Sequence, residues 1–157
     1  MSTQSPIVSQ PEIPQTKTSR FMTAVGYILG ISYPLLALST GARGIYQLFF
    51  RDDLAKLGPA LTIFSSMLYL IASVGFFKRS RRAWRVSVTA LSIEAVGVLT
   101  VGALSFLSPD LIGHTAWSHF GQDYGFFPLI QPLLGLAWLW WPPTRAAYGI
   151  SNPPTTS

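Results

Sequence analysis

Glu94 is the one ionisable side chain in the apolar stretch VTALSIEAVGVLTVG, Val88–Gly102, and it is the first residue whose chemistry needs an account. A carboxylate at mid-helix depth in a bilayer costs about 3 kcal/mol or more when it faces lipid. Glu94 must therefore face other helices or carry a proton. Ser87, Ala90, Glu94, Gly97 and Val101 recur at spacings of three and four, which gives a helix one inward stripe. On a separate apolar segment, Ser66 and Tyr69 lie three apart at the matching depth, so Glu94, Ser66 and Tyr69 form a candidate intramembrane polar cluster. Two readings fit this cluster. One is a carboxyl that titrates or binds a ligand, and the other is a hydrogen-bonded acid that sets helix register.

A second constellation lies in SPDLIGHTAWSHFGQDYG, Ser108–Gly125, which contains both histidines of the chain and no basic residue. On a helix, Asp110/His114 and His119/Asp123 would pair at i,i+4, and two imidazoles with a carboxylate can hold a divalent ion such as zinc. The two histidines are five apart, which suits no single helical face, and Gly113, Gly121 and Gly125 favour a looped path. Trp117, Phe120 and Tyr124 fit an aromatic belt at the outer membrane interface. The favoured expectation is an interfacial re-entrant loop or docking surface, with Asp110, His114, His119 and Asp123 as its candidate site. No metal or other cofactor is assigned. There is no phosphate-binding glycine loop, GxSxG, HExxH or CxxC, so no catalytic residue is named. With no cysteine, disulfides and thiolate chemistry are excluded.

The elements that must position these residues follow from charge spacing. Eleven lysines and arginines and six acids among 157 residues are few for a soluble domain, where about a quarter of residues are charged. Runs of about 20 uncharged residues match a hydrocarbon layer of about 30 Å at helical rise. The pattern predicts an all-α membrane protein, a bundle of four transmembrane helices at 21–40, 58–77, 84–107 and 126–141. Strands could not close a barrel with so few segments. The fourth segment is short, and it holds Gln131 between Pro128 and Pro132, which free backbone carbonyls for a pocket or a kink.

Lysine and arginine counts set the direction. The turn KRSRRAWR, Lys78–Arg85, has five, and Lys17, Arg20 and Arg145 bring that side to eight. The opposite side has three, Arg43, Arg51 and Lys56. Both termini are therefore expected in the cytoplasm, with a tail at 1–19, a membrane domain at 20–142 and a second tail at 143–157. Residues 2–19 and the ending SNPPTTS are rich in polar residues and proline, and disorder is expected there. The first segment shows no cleavable signal and reads as an uncleaved anchor.

Smaller features fill in the picture. Gly26 and Gly30 form a GxxxG that lets another helix approach closely, within the bundle or from a partner. Pro34 predicts a bend with a small cavity near Tyr33. Gly44–Pro59 reads as an outer interfacial segment, with Phe49 and Phe50 dipping into lipid. The net charge of +5 follows from the positive-inside asymmetry, so nucleic acid is not an expected partner.

The combination of YPLLALSTGARGIYQL, KRSRRAWR and GHTAWSHFGQDYGFFPLIQPLLGLAWLWW resembles small, functionally uncharacterised four-span integral membrane proteins of actinobacteria, over about residues 21–142. The resemblance implies a plasma-membrane location and supplies no active site. The expected function is a non-enzymatic accessory or scaffold component of a larger membrane or cell-envelope complex. Its expected partners are the lipid bilayer and other membrane subunits, or further copies of the chain. A small oligomeric transporter or channel, proton-coupled through Glu94, is the alternative. A membrane enzyme built on the outer His/Asp loop ranks third.

Overall fold

A computed structural model of the protein describes residues 17–53 and 56–151. Its order is α1 (Lys17–Phe50), α2 (Leu57–Phe77), α3 (Arg81–Leu107), a single turn α4 (Pro109–Ile112), a 3-10 turn Ser118–Tyr124, α5 (Phe127–Trp140) and a short α6 (Pro142–Ala147). Among the described residues there is no strand. Within Arg20–Phe50, Leu57–Phe77 and Arg81–Leu107 the helices are long and apolar enough to cross a membrane, while Phe127–Trp140 is a shorter apolar helix. This is the build of a helical membrane bundle. Its outer surface carries Ile28, Leu35, Leu38, Val96 and Leu99, and its interior closes on Tyr33, Tyr69, Leu91, Val98 and Leu139.

α1 differs from expectation at both ends. It starts at Lys17, inside the segment read as tail, and continues past Thr40 to Phe50, so it takes up the first half of the expected interfacial segment. Its 34 residues give a rod of about 51 Å. Gly41 and Gly44 lie past the expected end at Thr40. Here they are contact points, since a Cβ on Gly41 would meet Ser66 and one on Gly44 would meet Pro59, Thr62 and Ile63 of α2. Tertiary packing offsets the ~1 kcal/mol that each glycine costs a helix.

Pro34 and Pro132 each sit inside a helix and cannot donate to the carbonyl four residues back. Both orphaned oxygens are satisfied from α2. Ser73 Oγ donates to Gly30 O at 3.2 Å, and the Tyr69 hydroxyl donates to Pro128 O at 3.4 Å. Tyr33 is fully buried, with its ring 5.4 Å from that of Tyr69 and 5.1 Å from that of Phe76, so protein side chains fill the place where a cavity was expected.

The C-terminal segment is likewise no free tail as far as Ser151. α6 turns back, Thr144 and Tyr148 are buried, and the Tyr148 hydroxyl donates to Gly75 O at 2.9 Å, near the end of α2 where helix carbonyls lack partners. The disorder expected for the two ends otherwise falls on residues 1–16 and 152–157, outside the described residues.

Candidate functional site

The site is built where α2, α3 and the 108–126 connection meet. α3 runs 27 residues and its neighbour α5 only 14, so about 20 Å of α3 would stand uncovered if the connection stayed outside. The connection fills that gap. It descends along α3 until the Trp117 indole lies against Gly97, where a Cβ would approach the ring to 2.7 Å. Gly97 is ten residues, about 15 Å, from the C-terminal end of α3. Phe120 likewise occupies the space above Gly102, and the carbonyl of His114 crosses directly over Gly58. The three glycines form a trench in α2 and α3 that accepts the loop.

Irregular backbone at such depth persists only when its polar groups are paired inside protein. Here they are. Thr62 Oγ1 accepts from Ala116 N at 3.0 Å, Ser118 Oγ accepts from Thr115 N at 2.9 Å, and Thr115 Oγ1 accepts from Trp117 N at 2.8 Å. The loop leaves the trench through a left-handed turn at His119, Phe120 and Gly121, with φ of 50°, 61° and 81°. Left-handed backbone costs a non-glycine residue about 1–2 kcal/mol. The seating of Phe120 on Gly102 and the edge-on packing of His119 on Phe106, centroids 4.8 Å apart, hold this strained turn.

Glu94 is fully buried at the floor of the trench. Its Oε1 accepts from Ser65 Oγ at 2.6 Å and from Trp117 Nε1 at 2.8 Å, so one oxygen ties α2, α3 and the loop together. The Tyr69 hydroxyl lies against the same carboxyl. Among the described residues Oε2 has no hydrogen-bond partner, and neither has Oε1 of the buried Gln131. Gly135 packs against Leu91, so one turn back along α5 Gln131 lies near the level of Glu94. The Tyr33 hydroxyl donates to the Gln131 carbonyl at 2.5 Å, which completes a chain of polar groups from α1 to α5 across the bundle.

The residues singled out in the sequence divide accordingly. Tyr69 is at the carboxyl, but Ser66 is not. Ser66 Oγ donates to Ile63 O of its own helix at 2.7 Å and faces Gly41 on the opposite side, and Ser65 holds the position assigned to Ser66. Gly26 and Gly30 are both covered by the chain itself, Gly26 by the Trp138 ring and Gly30 by the Phe77 ring. Trp117 lies in the core instead of in an outer aromatic belt.

In the 108–126 connection, His114 turns to Asp123, with Nδ1 3.6 Å from Oδ2, and not to Asp110, and His119 is taken by Phe106. Arg43 of α1 joins this group, 3.8 Å from Asp123 and 3.5 Å from the Tyr124 hydroxyl. Asp110, His114 and His119 line an open cavity of about 350 Å³ with Asp53 and Ser118. Among the described residues no three His, Asp or Glu side chains are grouped closely enough to hold a metal ion. Near this rim the Arg51 guanidinium, at 2.8 Å, holds the Asp53 carboxyl down to about 2.

Compared with protein-family models, with curated proteins and with solved structures, the chain matches none. The site is therefore read on its own chemistry. Ser65 and Trp117 are its unanticipated members. Ser65 and Tyr69 are four apart and share a face as well as Ser66 and Tyr69 do, so spacing alone left the choice open. For Trp117 the available signal was the pair Gly97 and Gly102, two side-chain-free positions in the C-terminal half of an otherwise well-filled helix.

Proposed function

We propose that this chain is a four-span protein of the plasma membrane with both termini in the cytoplasm, α5 being the fourth span. We further propose that it serves as a non-enzymatic accessory or scaffold subunit of a larger membrane or cell-envelope complex. One observation carries the reading. The only acid described within the bundle, Glu94, is committed to the fold, clamping the outer loop through Trp117 and Ser65 with no exposed surface. An acid held in this way shapes a rigid outer face and is not presented to a substrate. That face displays Asp53, Asp110 and His114 beside the open cavity, a polar surface for a partner domain. The basic turn Lys78–Arg85 supports the inward assignment of the termini.

Extraction in mild detergent from native membranes, followed by crosslinking and native electrophoresis, tests the scaffold role. The expected result is a complex well above monomer mass that contains other membrane subunits. A partnerless monomer overturns it. Because the chain has no cysteine, single substitutions such as Ser2→Cys and Asp110→Cys report sidedness cleanly. Labelling of Asp110→Cys, but not Ser2→Cys, by an impermeant maleimide on intact cells is expected.

A second reading, an oligomeric proton-coupled transporter, is favoured by the unpartnered Glu94 Oε2 and Gln131 Oε1. Flux in proteoliposomes that Glu94→Gln abolishes while the variant stays folded would favour it over the scaffold.

A further inference from the structure

The seam between α2 and α3 is open on the side away from α1. Near the inner end, Ile71, Val74, Gly75, Ala83 and Val86 line an apolar cavity of about 350 Å³, with Lys78, Ser80 and Arg82 at its rim. A second cavity of about 300 Å³ lies against Leu68, Thr89, Ala90 and Ile93, with Arg85 beside it. Ile71 and Val86 line both, so the two form one continuous groove. From Arg82 to Ile93 it extends eleven residues along α3, about 16 Å. That length is about half of a hydrocarbon layer of about 30 Å, the depth of one leaflet.

The two ends of the groove differ in chemistry. Its length is apolar, and its only charges, Lys78, Arg82 and Arg85, are gathered at the inner end, where none forms an ion pair with a described residue. The neighbouring Arg79 instead lines a different cavity on the α1 side, with Thr23, Gly26 and Trp138. We propose that the α2–α3 groove is a binding site for an anionic phospholipid of the inner leaflet. One acyl chain lies between Ile71 and Val86, and the phosphate is held by Lys78, Arg82 and Arg85. The charge complementarity is local to this seam and exceeds what a general positive-inside bias requires, because the basic side chains sit at the mouth of an apolar slot sized for a chain. The inference rests on the membrane reading above.

Native mass spectrometry of the full chain tests it, with phosphatidylglycerol and phosphatidylcholine of identical acyl chains supplied in equal amounts. Wild type is expected to retain phosphatidylglycerol about tenfold over phosphatidylcholine. Lys78→Gln and Arg82→Gln should each lower phosphatidylglycerol retention about fivefold, the worth of one basic residue at an anionic lipid surface. Arg79→Gln should leave it unchanged, and an equal loss there would overturn the site in favour of diffuse attraction. Val86→Trp fills the groove from α3 and Ile71→Trp from α2. Both positions are more than two-fifths exposed, so the bundle tolerates the larger ring. Each should reduce retention of both lipids, and undiminished binding in both variants overturns the groove. Alkaline carbonate extraction is a separate control. A chain released by carbonate fails the membrane reading itself, whereas an integral chain without lipid preference fails only this inference.

Discussion

Two seams meet along α2, and they hold by opposite means. Against α1 the contact is close and dry. Gly30, Gly41 and Gly44 let α2 approach the α1 backbone, and the hydroxyls there bond to backbone carbonyls, Ser73 to Gly30 and Ser66 to Ile63. Against the C-terminal half of α3 the seam is wide enough to admit a loop, and a carboxyl with an indole and a serine holds it together. The first arrangement relies on many small van der Waals contacts, the usual source of helix association in lipid. The second concentrates its stability in a few directional bonds around one buried group. The α1 seam should therefore tolerate any single polar loss, and the loop seam should not.

Trp117→Ala is the sharpest way to break that contrast. It removes a buried aromatic and a donor to Glu94, and about 3–5 kcal/mol of stability should go with it. Denaturant titration in lipid bicelles measures the loss. Protease cleavage within 108–126, absent in wild type, should report the loop leaving its trench. Glu94→Gln should keep the loop seated, because an amide oxygen still accepts from Ser65 and Trp117, and it should cost far less than Trp117→Ala. Equal costs would remove Trp117 from its place as the main anchor.

Gly44→Leu probes the other seam. Its new side chain would press on Pro59, Thr62 and Ile63, with a cost of about 1–3 kcal/mol from overpacking. Replacing Ser73 by alanine in the same seam should cost less, about 1 kcal/mol. A loss larger than that of Gly44→Leu would show that hydrogen bonds dominate there too.

A smaller effect tests the proline account. Tyr69→Phe strips the donor from Pro128 O and should cost about 1 kcal/mol. In a Pro132→Ala background the helix regains its own donor to that carbonyl, so the same change should cost less. Additive losses would separate Tyr69 from the proline.

The smallest effect is at the inner end. Burial raises the Tyr148 hydroxyl from 10.0 to about 12. Its folded-state value is raised, so its contribution is complete below pH 10, declines as pH rises, and is lost beyond about pH 12. Tyrosinate absorbance should show one tyrosine titrating near pH 12 that Tyr148→Phe removes, with the α1–α2 seam unaffected.

How much of this was readable in the residues depends on the range of the interaction. α2 and α3 are bounded by charges and a serine cap, and their limits lie within three residues of those expected from sequence. α1 runs on past Thr40 because Gly41 and Gly44 are packing surfaces against α2, and only the partner helix reveals that. Ser65 in place of Ser66 is a rotation of about 100° about one helix axis, which depth counting does not resolve. The path of Trp117 depends on a mismatch in length between α3 and α5 and on contacts between residues more than twenty apart. An aromatic in a glycine-rich loop carries no local mark of being buried.

The mismatch between a 27-residue α3 and a 14-residue α5 also imposes an order of assembly. The trench exists only after α2 and α3 have come together, since Thr62 and Ser65 come from one and Glu94 and Gly97 from the other. On the four-span reading, α5 is too short to cross the layer unaided, and the turns it lacks are supplied by the seated loop. The loop can therefore seat only on a formed α2–α3 pair, with the Trp117 indole closing over Glu94. The buried acid is thus sealed by its own chain.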